Sequence, residues 1–285
     1  MRIANLLPTG YAEGFDPAPE LLGPGVSVEP VMMDLPALPT NAVDLLLTDV
    51  AAVEASIRAQ ASGFDGIVIN SVADYGLRAA RSAVRIPVVG TGQASMLLAC
   101  SLGNRFSIVS VLSPSLRECH DRQLREYGLS DRCSSMRFVT SASEMATIAD
   151  PDGWYAGMRS RRADMVERIG AQIRAAVDDD GADSVILGCT CMVPVAQDVA
   201  TYTAAPVINP LDAAFLHAAM LVRMGLSQSP SCFLPAETSR AAVLRAMVKG
   251  AAATMSAEAV DDETACGNTC EILSAPDREV VAGAR

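Results

Sequence analysis

Short blocks of aliphatic residues alternate along this chain with longer segments whose apolar residues recur every three or four positions. Blocks bounded by turn residues read as buried strands, and the stepped segments as amphipathic helices. Strands are expected over Ile3 to Leu7, ending at Pro8-Thr-Gly10, and over Val26 to Met33. Tyr11 to Pro24, rich in Gly, Pro and acid, reads as a surface loop, and Asp34 to Pro39 as a proline-bearing connection. Asn41 is placed to cap a helix whose inner face is Val43, Leu46, Val50, Val53 and Ile57. A strand after Gly63, a helix through Leu77, Ala80 and Val84, and a strand at Pro87 follow. The same alternation then resumes. A strand runs over Arg105 to Leu112, and Ser113-Pro114 opens a helix stopped by Tyr127-Gly128. A strand is expected over Arg137 to Thr140, and one long helix over Met158 to Val177 with Val166, Ile169 and Ile173 inward. Strands at Val185 to Leu187 and after Pro206, a helix through Leu211, Phe215 and Met220, and a last helix over Glu237 to Met255 complete the pattern. Strand–helix alternation of this kind implies parallel α/β sheets.

One unit occurs twice. Residues 63–71 read Gly-Phe-Asp-Gly-Ile-Val-Ile-Asn-Ser, and residues 181–189 read Gly-Ala-Asp-Ser-Val-Ile-Leu-Gly-Cys. Each has Gly-x-Asp-x, three aliphatics, a spacer, then a small side chain of nucleophile type. A helix-length segment and a proline-opened strand follow, the proline 16 positions after Ser71 and 17 after Cys189. Two copies of a β-turn-α-β unit predict two similar halves facing each other, with Ser71 and Cys189 entering one cleft from opposite sides. Open α/β sheets bind ligands at the carboxyl ends of their strands. A cysteine there, before the helical turn that Pro194 tolerates, is favoured as a thiolate by nearby amides. A lone buried cysteine is more often a small apolar residue; the duplication is what lifts Cys189 above that reading.

Composition narrows the classes. The chain has 285 residues, 50% of them hydrophobic, and a formal net charge of −11. That size suits one large or two modest domains. The charge argues against a nucleic-acid or acidic-membrane partner, and Arg159-Ser-Arg161-Arg162 reads as a solvated helix face. No apolar stretch has the length of a membrane span, and no signal peptide is evident. Eight cysteines without framework spacing suit a reducing cytoplasm. Two separated histidines make a zinc site improbable: His120 reads as solvated and His217 as a packing residue. Gly90-Thr-Gly92 lacks the third glycine of a dinucleotide fingerprint and reads as a plain strand-to-helix turn. Asp178-Asp-Asp-Gly181 lacks the ligand pattern of a calcium loop. Beyond Ala257 an acidic segment, including Cys266 and Cys270, reads as a flexible tail.

Leu187-Gly-Cys-Thr-Cys-Met192 resembles the second cysteine motif of the aspartate/glutamate/hydantoin racemase superfamily. Pro87-Val-Val-Gly-Thr-Gly-Gln-Ala94, Leu102-Gly-Asn-Arg-Phe106 and Pro206-Val-Ile-Asn-Pro210 resemble its hydantoin-racemase branch, and the likeness runs from about Met1 to Gly225. The resemblance implies two pseudo-symmetric, Rossmann-like parallel-sheet α/β domains with the active site between them and no cofactor or metal. The first would comprise residues 1–98 plus 210–256, the second 99–209, with 257–285 as tail. In such racemases one cysteine removes the proton beside a carbonyl and a second delivers one to the opposite face. A small-molecule substrate and a homo-oligomer are the expected partners.

The chain departs from that pattern at two places. Ser71 stands at the first cysteine position, and Leu7-Pro8-Thr9 replaces a typical Asn-Pro-Asn. A thiol near pKa ~8.5 can be tuned toward neutrality, whereas a serine needs a partner base. Asp74 is the nearest candidate by sequence, or else a helix N-terminal charge. Cys189 and Ser71 are therefore the expected catalytic pair. Pro8, Asn70, Val72, Gln93, Ser113, Thr190 and Cys191 are the expected substrate-binding residues, with the Val72 and Thr190 N–H groups, the Thr190 hydroxyl and Ser113 facing the developing oxyanion. A racemase or isomerase acting beside a carbonyl, on a hydantoin-like or amino-acid-like molecule, is the first reading. A one-thiol decarboxylase of substituted malonates, as in arylmalonate decarboxylase of the same superfamily, is the alternative. A binding protein that kept the cleft and lost the chemistry is the third.

Overall fold

The computed structural model describes residues 1–8, 19–35, 41–145, 147–148, 150–237 and 239–265, with the side chains of Pro19, Ser115 and 255–265 outside that description. The strands are β1 (Arg2–Pro8), β2 (Ser27–Met33), β3 (Gly66–Ile69), β4 (Val88–Gly90), β5 (Phe106–Ser110), β6 (Cys133–Phe138), β7 (Ser184–Leu187) and β8 (Val207–Ile208). The helices are α1 (Pro19–Leu22), α2 (Ala42–Ala61), α3 (Leu77–Ala83), α4 (Thr91–Leu102), α5 (Arg117–Tyr127), α6 (Ala142–Met145), α7 (Trp154–Arg159), α8 (Ala163–Asp178), α9 (Ala196–Ala200), α10 (Pro210–Arg223) and α11 (Ser239–Ala265).

Two four-stranded sheets result, ordered β2-β1-β3-β4 and β6-β5-β7-β8. Every pairing is parallel. The repeat seen in sequence extends to individual hydrogen bonds. Gly63 (φ 76°) and Gly181 (φ 71°) both take the left-handed turn that glycine adopts without penalty. The aspartate two residues later starts each sheet: Asp65 Oδ2 accepts from the Arg2 N–H at 2.7 Å, and Asp183 Oδ2 from the Arg105 N–H at 2.9 Å. The prolines serve alike, with Pro87 O accepting from Ile67 N and Pro206 O from Val185 N, each at 2.9 Å. β3 and β7 are fully buried in the middle of their sheets. Burial contributes about 1.5–3 kcal/mol for each large aliphatic side chain.

The inner helices exchange sheets. α4 and α10 pack on each other; α4 also lies on β5 and β7 of the second sheet, and α10 on β1, β3 and β4 of the first. One cluster therefore joins Phe215 and Ala218 of α10 to Val68 and Val89, and another joins Met96 and Ala99 of α4 to Ile108 and Ile186. α2 and α3 cover the outer face of the first sheet, α8 that of the second.

Several local expectations need correction. Asn41 caps α2 as expected, accepting from the Val43 and Asp44 N–H groups. Yet Val43 and Leu46 are 66% and 63% exposed, because the first turns of α2 overhang the core. Its buried face is built of Ala51, Ala52, Ala55 and Ala59 around Val53. The expected helix over 158–177 is broken: Arg161 is left-handed (φ 57°) between α7 and α8. The basic cluster sits at that break, with Arg161 on Asp198 and Arg162 on Asp164, rather than on a helix face. β6 begins and ends earlier than Arg137 to Thr140. A short helix occupies Pro19–Leu22 within the expected loop. α11 runs on past the expected end at Met255 and through residues 257–265 of the expected tail; Cys266 and Cys270 lie outside the described residues.

Candidate active site at the strand ends

β3 and β7 end in matched turns. After β3, Asn70 continues the ladder with its N–H on Leu6 O at 3.0 Å; after β7, Gly188 does so on Val109 O at 2.7 Å. Ser71 Oγ accepts from the Ala73 N–H at 3.1 Å, and Cys189 Sγ from the Cys191 N–H at 3.2 Å. Ser71 O accepts from the Asp74 N–H and Cys189 O from the Met192 N–H, both at 3.1 Å. The two side chains thus occupy equivalent places, each held by the amide two residues on. In both turns the intervening N–H groups, of Val72 and of Thr190, have no hydrogen-bond acceptor among the described residues. Thr190–Val195 is a 3-10 turn with Pro194 inside it, so Cys189 caps that turn and α9 begins only at Ala196.

The turns differ in how they are held. Asp74, 4% exposed and left-handed (φ 51°), puts its carboxylate under four donors. Oδ1 accepts from the Gly92 N–H at 2.8 Å. Oδ2 accepts from the Gln93 N–H at 2.8 Å, Gln123 Nε2 at 2.9 Å and Tyr127 Oη at 2.7 Å. Burial pushes Asp74 up to about 6, against the pull of these donors. Asp74 is therefore not a base for Ser71: its lone pairs are taken elsewhere. It is the expected helix N-terminal charge, but for α4 rather than the helix that follows it. Gly90 offers α4 no side-chain cap, and Asp74 supplies one from a distant loop. The Gly90-Thr-Gly92 turn has its glycines for that approach. A Cβ on Gly90 would meet Asp74 Oδ1 at 2.5 Å, and one on Gly92 would meet Val72 O at 2.2 Å.

The second turn carries Met192 at the position of Asp74. Met192 is fully buried among Val185, Leu187 and Val195. Cys189 Sγ is bonded to Cys191 Sγ at 2.05 Å. The expectation of reduced cysteines thus meets an exception at the candidate catalytic residue. Cys100, Cys119, Cys133 and Cys232 are free, and burial raises the Cys119 thiol and pushes Cys133 to about 11.

The expected site residues fall into connected groups. Asn70 donates to Asn5 Oδ1 at 3.0 Å beneath the Ser71 turn. Gln93 reaches the same turn through Asp74 and fixes Arg81, whose Nη2 donates to Gln93 Oε1 at 2.7 Å. Pro8 ends β1, beside β3. Ser113 is wholly buried below the turn that precedes α5. Thr190 and Cys191 flank Cys189. Val193, four residues past Cys189, packs on the cluster that contains Val89 and Ala94, so the Cys189 turn also leans on the first half. A cavity of about 1040 Å³ lies between α2, α3, α5 and residues 233–236; of the expected site residues only Gln93 lines it.

The sequence reading missed the α5 stripe. His120 is 4% exposed, not solvated; its Nδ1 meets Gln123 Oε1 at 3.2 Å, and burial lowers its pKa. The spacing of His120, Gln123 and Tyr127 is that of one buried helix face, which a purely apolar search passes over.

The chain is also similar to known proteins in sequence and in fold. The family model described as Asp/Glu/Hydantoin racemase matches residues 31–218. A hydantoin racemase of Pseudomonas sp. (strain NS671) is 30% identical over 204 residues, covering 72% of this chain and 76% of that protein. Among solved structures, allantoin racemase from Klebsiella pneumoniae superposes with a TM-score of 0.69 at 26% identity, covering 83% of this chain and 94% of its own. An arylmalonate decarboxylase shares the fold, with a TM-score of 0.54 at 16% identity over 81% of this chain and 97% of its own.

Proposed function

Because this chain belongs to the Asp/Glu/hydantoin racemase family, we propose that it racemises a hydantoin-like cyclic ureide by moving the proton on the carbon next to a carbonyl. The matched pair of turns carries this reading: two equivalent strand ends present Cys189 and Ser71, each followed by an amide N–H with no acceptor among the described residues. The Cys189 thiolate takes the proton, and negative charge develops on the carbonyl oxygen. The N–H groups of Val72 and Thr190 donate to that oxygen, where preorganised donors are worth most. A proton reaches the opposite face through the Ser71 hydroxyl, which takes one from solvent in the same step so that no alkoxide is left, and Cys189 gives its proton to solvent. Pro8 frames the ring from the first half, and Thr190 and Cys191 from the second; Asn70 and Ser113 are buried behind the strand ends and Gln93 is tied to Arg81, so these three support the turns without lining the site. The reaction needs no cofactor.

A disulfide sulfur has no proton to give or take. The competent form is the Cys189/Cys191 dithiol, made by a thiol reductant that supplies two electrons while two protons come from solvent. A reducing cytoplasm would maintain it. No described helix is long and apolar enough to cross a membrane, and the charge of −11 stands against nucleic acid. We also propose self-association through α4 and α10, which pack on each other and each carry exposed apolar side chains, Leu97 and Leu102 on α4 and Leu216 and Met220 on α10.

The test is incubation of the reduced protein in deuterated water with 5-substituted hydantoins and with aryl or alkyl malonates. Deuterium at the ring carbon without loss of carbon dioxide is the expected result. Carbon dioxide release from malonates alone would favour the decarboxylase, for which the single observation is Ser71 in place of a second opposed thiol. Binding without either reaction would leave a ligand carrier.

A further inference from the structure

Taking the racemase reading as premise, we propose that Asp74 is a positioning residue. It clamps the Ser71 turn to the first turn of α4 and to α5, and so holds the Ser71 hydroxyl and the Val72 N–H where proton transfer needs them. The carboxylate lies three residues beyond Ser71 yet makes no hydrogen bond with its hydroxyl; all four of its donors come from other elements. Gln123 makes a second stitch. Its Nε2 donates both to Asp74 Oδ2 and to Val72 O, the latter at 2.6 Å, so the turn is gripped at its carbonyl as well as its side chain. The Gln123 amide is oriented in turn by His120 at 3.2 Å. Val72 and Gly92 approach so closely that a Cβ on Gly92 has no room. A buried carboxylate is a costly way to cap a helix. α10 shows the cheaper way, since Asn209 caps it with its own side chain at 3.1 Å. What the costly arrangement adds is a fixed relation between the Ser71 turn, α4 and α5, and it brings α5 of the second half onto the first. A misplacement of the order of 1 Å in a reacting group can cost about 100-fold in rate.

Several charged or titratable groups surround the clamp. They are Tyr127, His120, Arg122 and Glu126 on α5, Arg78 and Arg81 on α3, and Asp49 on α2. Burial raises the Tyr127 hydroxyl well above its ordinary range and lowers Arg81. Burial brings Asp74, the carboxylate of the clamp, to about 6 and lowers His120 from its ordinary value. As pH falls through the Asp74 value the proton is bound more tightly by the folded site than by an opened one; it does not unfold the clamp, but it replaces the charge-assisted hydrogen bonds to Gly92, Gln93, Gln123 and Tyr127 with weaker ones and so loosens the geometry they fix on the acid side.

The experiment compares the intact, reduced wild-type protein with reduced Asp74→Asn and Tyr127→Phe. The readouts are α-deuterium exchange of 5-substituted hydantoins against pH, and backbone hydrogen exchange by mass spectrometry. Asp74→Asn should lower kcat about tenfold or more with a smaller change in KM. It should remove the acid limb of kcat, and speed amide exchange over residues 71–74 and at Gly92 and Gln93 about tenfold. Tyr127→Phe removes one donor to the carboxylate and should move the acid limb to higher pH. Wild-type kcat, acid limb and amide protection in Asp74→Asn would overturn the proposal. If that variant fails to fold, an unmoved limb in Tyr127→Phe overturns it. If the wild type exchanges no compound, the racemase reading fails, while the amide protection of residues 71–74 still decides whether the clamp exists.

Discussion

The turn after β3 and the turn after β7 share a backbone plan and differ in what secures it. The Ser71 turn is fastened by charge: one buried carboxylate gathers donors from α4 and α5. The Cys189 turn is fastened by packing, with Met192 and Val195 in the second core, and by the link between Cys189 and Cys191. The helices that follow β4 and β8 repeat the contrast. α4 relies on Asp74 for its cap, and α10 carries Asn209 with Pro210 in its first turn. Duplicated units keep their ladder and their Gly-x-Asp turns because those set the sheet. The strand ends, where we place the chemistry, are free to diverge. Here the divergence leaves one thiol-bearing end and one hydroxyl-bearing end, so proton transfer on the two faces of a substrate should be unequal.

The sharpest test of that inequality is a pair of truncations. In reduced protein, Cys189→Ala should lower exchange by about 10²–10⁴-fold, the usual weight of an acid/base group. Ser71→Ala should cost markedly less, and equal losses would show the two ends to be equivalent. Oxidised protein carrying the Cys189–Cys191 bond should be as inactive as Cys189→Ala and recover on treatment with dithiothreitol. Recovery failing while mass spectrometry shows both thiols free would remove Cys189 from the mechanism.

Ser71→Cys should erase part of the difference. A second thiol near pKa ~8.5 facing Cys189 should raise the slower of the two enantiomer exchange rates about tenfold. Unchanged rates would place Ser71 outside the site, as a residue that merely accepts the Ala73 N–H.

Smaller effects should appear in stability. Gly92→Ala forces a Cβ against Val72 O at 2.2 Å. It should cost about 1–3 kcal/mol in urea unfolding, the scale of overpacking. Asn209→Ala removes a local cap and should cost about 1 kcal/mol. A larger loss from Asn209→Ala than from Gly92→Ala would reverse the contrast between a distant cap and a local one.

Much of this was written in the order of residues. The two Gly-x-Asp units, the aliphatic runs after them and the proline-opened strands reach the structure nearly unchanged, because sheet formation here depends on local turns and on runs of three or four apolar residues. Cys189 and Ser71 were legible as equivalent for the same reason: their place at a strand end follows from counting along a strand. The Asn41 cap and the Gly128 stop, left-handed at φ 68°, are local signals too. What tertiary structure alone decided is the use of polar residues far apart in sequence. Asp74 meets Gly92, Gln123 and Tyr127, partners 18 to 53 positions away. No periodicity announces such a meeting, since a buried charge is chosen by the donors around it and not by its neighbours in the chain. The exchange of α4 and α10 between sheets, the exposure of Leu46 and the break at Arg161 belong to the same class. Each depends on where a second surface lies, and a one-dimensional pattern carries the need for burial but not the position of what does the burying.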